Sequence, residues 1–158
     1  MTGTQSAVTG VDASWAQNGT LTFTHALTGA DRAYERVTAV PALVIPRAGL
    51  WVVDYSARGV ASMPASVAGA EFVSVALYKN GSVVTGTEVM VVGSNGAGTG
   101  AQATGGLSFV HTFAAVGDTL ELWACRIGQL GTASVVSNGD GRTRIVGHWI
   151  GPPGDTPA

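Results

Sequence analysis

The feature that most constrains this chain is an alternation of period two, repeated in short ribbons and broken by Gly, Asn, Asp and Ser. In GLWVVDYSARG, Trp51, Val53, Tyr55 and Ala57 fall on one side, and Asp54, Ser56 and Arg58 on the other. An amphipathic helix needs apolar neighbours at three and four residues, so this pattern suits a strand with one face on a core. EFVSVALYKNG repeats it, with Val73, Val75 and Leu77 in one row and Phe72, Ser74, Ala76 and Tyr78 in the other. Asn80-Gly81 then supplies the positive backbone angles of a type I′ turn, so a tight hairpin is expected there. TLTFTHAL sets Leu21, Phe23 and His25 against threonines. GTEVMVVG, GLSFVHTFAAV, DTLELWACRI and RTRIVGHWIG add further strands.

Many short strands with turn clusters between them predict an all-β chain, folded as an antiparallel β-sandwich or barrel. The 158 residues suit one domain. Residues 21–151 are expected to form the sandwich. Residues 1–20 are polar and rich in Gly and Thr, and are expected to form an N-terminal arm that docks on a neighbour through Trp15 or pairs at a sheet edge. Residues 152–158, within GPPGDTPA, form a tail, because prolines lack the amide donors of a strand. GSNGAGTGAQATGG is expected to be an exposed, mobile loop.

Charge narrows the function. Only 11% of residues are charged, against roughly 25% in ordinary globular chains. A surface so poor in ions is expected to face other protein, either its own copies or a larger assembly. The net charge is −2 and the eight basic residues are scattered, which argues against a nucleic-acid partner, because a phosphate lattice needs a clustered basic face. Gly, Pro and polar residues break every weakly charged stretch, so membrane insertion is not expected. MTGTQSAVTG lacks the basic start and apolar run of a signal peptide. Cys125 is the single cysteine; it cannot form an internal disulfide and reads as a small buried hydrophobe.

No catalytic constellation is legible. His25, His111 and His148 sit in strand-like runs, away from any G-x-S-x-G turn or metal-spaced pair, and read as structural or interface residues. Asp140 in SNGDGRT reads as a turn residue rather than a calcium ligand. Glu71, Glu88 and Glu121 lie in separate runs and read as isolated, solvent-facing acids. No enzyme activity, cofactor or metal is therefore expected.

Four segments in order resemble the jelly roll of complement-type globular heads and tumour necrosis factor-like proteins. VPALVIPRAGLWVVDYSA is similar to that family's P-x-x-G-x-Y-x-V-x-Y strand on Gly49, Trp51, Val53 and Tyr55, with Trp51 where Tyr is more usual. VALYKNGSVV is similar to its next hairpin, FAAVGDTLELWA to its Gly-Asp strand on Gly117, Asp118, Leu120 and Leu122, and RTRIVGHWIG to its closing strand. The resemblance covers residues 37–151. It implies jelly-roll topology and a homotrimer, with Trp51, Val53, Tyr55, Val75, Leu77, Leu120, Leu122, Ile145 and Trp149 in core or trimer packing. There is no collagen stalk and no cysteine pair, so secreted-receptor roles are not carried over. Small, stalkless versions of the fold resemble bacteriophage virion proteins made in the bacterial host cytoplasm. That implies a trimeric decoration protein on a capsid, with the major capsid protein or another virion protein as partner. The alternative is a fibre tip recognising a host surface glycan, through aromatics such as Trp15, Trp51, Trp123 and Trp149.

Overall fold

The computed structural model describes residues 5–7 and 14–153, and every regular element among them is a strand. In chain order these are β1 (Gln5–Ala7), β2 (Trp15–Asn18), β3 (Thr22–Ala26), β4 (Glu35–Arg36), β5 (Leu43–Val44), β6 (Gly49–Ser62) and β7 (Ala70–Lys79). They continue as β8 (Ser82–Val83), β9 (Val89–Asn95), β10 (Gly100–Ala114), β11 (Thr119–Ile127), β12 (Thr132–Asn138) and β13 (Arg144–Gly151).

Several of these are halves of one interrupted ribbon. β12 and β13 run in the same direction along one edge of β6, from Thr132 beside Ser62 to Gly151 beside Leu50. β2 pairs β13 and β3 pairs β12, while β4 and β5 share one edge of β11, and β8 and β9 one edge of β7. Counted as ribbons from β2 onward, the first sheet runs first, eighth, third, sixth, and the second sheet runs second, seventh, fourth, fifth. That order is a jelly roll, two antiparallel sheets wound together. β1 adds to the outer edge of β2.

Each interruption leaves ladder groups without a strand partner, and buried backbone polar groups need one. Side chains supply it. Asn18 accepts the Ile145 amide at 2.9 Å and donates to the Pro41 carbonyl at 2.7 Å. Thr87 donates to the Val84 carbonyl at 2.6 Å and accepts the Leu77 amide at 3.2 Å. Thr143 accepts the Arg58 amide at 3.0 Å and donates to the Val136 carbonyl at 2.7 Å. All three side chains are buried.

The core lies between the sheets and follows the alternation. Odd residues of β6 from Trp51 to Ala61 are buried, and the even ones from Val52 to Ser62 are only partly covered. Trp51, Val53, Tyr55, Val75, Leu77, Leu120, Leu122 and Ile145 are all buried. Trp149 is half-buried, with the Arg47 guanidinium 3.5 Å over its ring. Gly147 leaves room for the Trp51 indole, because a Cβ there would lie 3.2 Å from Trp51 Cε3. Asn80 and Gly81 have φ of 50° and 77°, as the hairpin requires.

Two expectations are corrected, and a third is narrowed to one of its alternatives. The stretch 93–106 is not a free loop, because its second half opens β10, which pairs β6 from Gly100–Ser62 onward. Glycine's weak strand propensity hid this ribbon, yet glycine is required at Gly106, where a Cβ would collide with the Tyr55 carbonyl. Residues 15–18 take the sheet-edge alternative rather than a free arm, since β2 is hydrogen-bonded to β13 within the same sheet. The rest of the arm, residues 1–4 and 8–13, lies outside the described residues, as do tail residues 154–158. Finally, Glu71 and Glu121 are buried rather than solvent-facing. Arg126 donates to Glu71 at 2.8 Å, and Arg36 lies 3.3 Å from Glu121, so each acid has the cation that burial demands. Glu88 is exposed, between β8 and β9.

Candidate interaction surfaces

The two outer faces of the sandwich differ in chemistry. On the first sheet, the even residues of β6 set the rows. His111 and His148 flank Val52 on either side, and Trp15 follows His148. In the next row Val146 flanks Asp54, and β10 bulges opposite. The bulge carries Phe109 at φ 61°, with its amide held 2.8 Å from the Asp54 carboxylate. Phe113 pairs with Leu50 at the end of the face, near Ile150. Phe109 is 75% exposed, Phe113 47% and Ile150 52%.

The other half of this face is polar. Arg58 bridges to Asp140 at 3.1 Å and to Gln102 at 2.8 Å, among Thr24, Thr104 and Ser134. Asp140 is also held by Arg142 at 3.2 Å, so its carboxylate is engaged by two guanidiniums in a glycine-flanked turn. The face is thus split into an apolar half and an ionic half. In the apolar half, Asp54 is the one acid among the described residues of these rows, and it is committed to the Phe109 amide.

The second sheet's outer face is aromatic. Trp123 of β11 stacks on Tyr78 of β7, with ring centroids 4.3 Å apart and planes at 11°. Tyr34, just before β4, extends the row at 6.0 Å from Tyr78. The Tyr34 hydroxyl shares a 2.9 Å hydrogen bond with Ser74, and the Trp123 indole donates to Glu121 at 3.0 Å. Burial pushes the Tyr34 phenol and the Cys125 thiol upward, so both stay protonated at neutral pH. Cys125 is buried on this same face, in register with Ser74, as expected of a small hydrophobe.

The three histidines are not brought together. His25 shares a 3.1 Å hydrogen bond with Glu35, while His111 and His148 are exposed on the first sheet and separated by β6. No group of three His, Cys, Asp or Glu residues able to hold a metal occurs among the described residues. Of the four tryptophans, Trp51 is wholly buried, Trp149 packs under Arg47, and Trp15 and Trp123 are half-buried on opposite sheets. Sequence reasoning missed Phe109, which lies in a bulge out of phase with its neighbours, and Tyr34, which sits in an irregular stretch without periodicity.

No protein-family model matches the chain, and no curated protein matches it. Among solved structures, it is similar to Eiger TNF from S. frugiperda at 10% identity, covering 87% of this chain and 98% of that one with a TM-score of 0.42.

Proposed function

We propose that this chain is a non-catalytic structural protein that works as a homotrimer, and that the trimer decorates the outside of a bacteriophage capsid. The observation that carries the assembly role is the apolar half of the first sheet's outer face. Phe109, Phe113 and Ile150 are exposed there around Val52, Val146 and Trp15. Such a concentration on a chain with 11% charged residues is costly in water and favours cover by protein. The jelly-roll order supports threefold packing by resemblance. Attachment by apolar contact and strand addition resists salt, unlike attachment by surface ion pairs.

Binding of the purified protein to undecorated capsids tests the role. Retention at high ionic strength is expected, with weaker retention of a chain lacking residues 1–13. Equal attachment of the shortened chain removes the arm from the mechanism, and failure of both chains to attach overturns the decoration role.

A further inference from the structure

Two connecting segments of the first sheet meet at one corner, residues 19–21 between β2 and β3 and residues 139–143 between β12 and β13. The Gly139 amide donates to the Leu21 carbonyl at 2.8 Å, and the Ile145 amide donates to the Asn18 side chain at 2.9 Å, so the two segments are laced together. A cavity of about 330 Å³ lies there, lined by Gln17, Asn18, Gly19, Thr20, Gly141 and Arg144. Its lining is rich in unspent donors. Among the described residues, Arg144 has no carboxylate within ion-pair distance, and the amides of Gly19, Thr20 and Gly141 bond to no group of the chain. Gln17 adds a carboxamide and Thr20 a hydroxyl.

Charge balance selects the ligand class. Arg58, Arg142 and Arg144 gather at this corner against Asp140 alone, an excess of two positive charges in a chain of net charge −2. Asp140 is already shared by Arg58 and Arg142. Asp54 lies one row along from Arg144, forms no ion pair with it, and accepts the Phe109 amide. A cation therefore finds no carboxylate on the cavity wall, and an apolar group would strip water from donors that it cannot pair. An oxyanion answers both demands, because a guanidinium bonds two of its oxygens at once and main-chain amides take the others.

We infer that this corner is a binding site for a single phosphate group, held by the Arg144 guanidinium and the amides of Gly19, Thr20 and Gly141. Three or four phosphate oxygens use this set of donors more fully than the two of a carboxylate. One corner holds one such group, whereas a nucleic-acid lattice needs an extended basic face. The lacing of the two segments fixes the donors before the ligand arrives, which lowers the ordering cost of binding. The inference goes beyond the assembly role and stands whether or not the protein decorates a capsid.

Nuclear magnetic resonance of the nitrogen-labelled full chain, titrated with inorganic phosphate at neutral pH and constant low ionic strength, tests it. Saturable shifts of the Gly19, Thr20 and Gly141 amides are expected, with a midpoint in the millimolar range. Arg144→Gln alters an exposed side chain and should raise that midpoint about tenfold, with the amide spectrum elsewhere unchanged. Asp140→Asn keeps an oxygen for the Arg142 amide and removes the one acid, so it should lower the midpoint several-fold. Acetate should bind several-fold more weakly than phosphate. Shifts that rise without saturation overturn the proposal, as does an unaltered midpoint in either variant or acetate binding as tight as phosphate. The particle mass of the same samples reports on the assembly role separately.

Discussion

The Arg58 amide donates to the Thr143 hydroxyl at 3.0 Å, at the point where β6 passes from pairing β12 to pairing β13. The same hydroxyl donates to the Val136 carbonyl at 2.7 Å. One side chain thus closes a gap in the ladder that the 139–143 turn opens. Thr143→Val keeps the shape and orphans both backbone groups, so it should cost about 1–3 kcal/mol. Urea denaturation checks this, and Thr143→Ser should retain most of the stability.

A second buried contact ties the start of β7 to the turn before β12. Glu71 is fully buried, accepts from Arg126 at 2.8 Å and accepts the Gly131 amide at 3.1 Å. Arg126 also donates to the Gly128 and Gly131 carbonyls. Removing one partner leaves the other charge buried, so Glu71→Ala should lose about 3–5 kcal/mol. Replacing both residues with apolar ones should cost less than the sum of the single changes, which a double-mutant cycle in denaturant reads directly.

Asp118 latches the two turns that close one end of the sandwich. It accepts from the Asn80 side chain at 2.8 Å and from the Ala115 amide at 2.8 Å, and these bonds hold its carboxyl below the usual range. A carboxyl lowered in the folded state adds stability that is complete above its unfolded value of about 4 and disappears as pH falls through the folded value. The urea midpoint of the protein should therefore fall below about pH 4. In Asp118→Asn that decline should be shallower, and an unchanged slope would exclude the latch.

The fold was legible wherever one face of a strand meets the core. The alternation of Trp51, Val53 and Tyr55 against Asp54, Ser56 and Arg58 survives residue by residue in β6. The Asn80-Gly81 hairpin is also where its chemistry puts it. The opening of β10 was hidden because Gly100, Gly105 and Gly106 give no apolar row, and their role is close approach to β6. The burial of Glu71 and Glu121 was hidden because their cations, Arg126 and Arg36, come from other positions in the chain. The interaction surfaces were the least legible part, since a face exists only after register places Trp15, Val52, His111 and His148 side by side.

Phe109 combines a positive φ with an exposed ring, two unfavourable features at one residue. A left-handed conformation costs a non-glycine residue about 1–2 kcal/mol. Phe109→Gly should relieve that strain and raise the stability of the single chain, provided it is measured below the concentration of assembly. The same change should weaken self-association by removing an aromatic contact. Opposite signs in denaturation and in sedimentation equilibrium are expected, and unaltered association would remove Phe109 from the contact.

Sedimentation velocity at micromolar concentration, in low and in high salt, tests the covered apolar face most directly. A single particle of three times 15.9 kDa, unmoved by salt, is the expected result. A well-behaved solitary species of 15.9 kDa would contradict it.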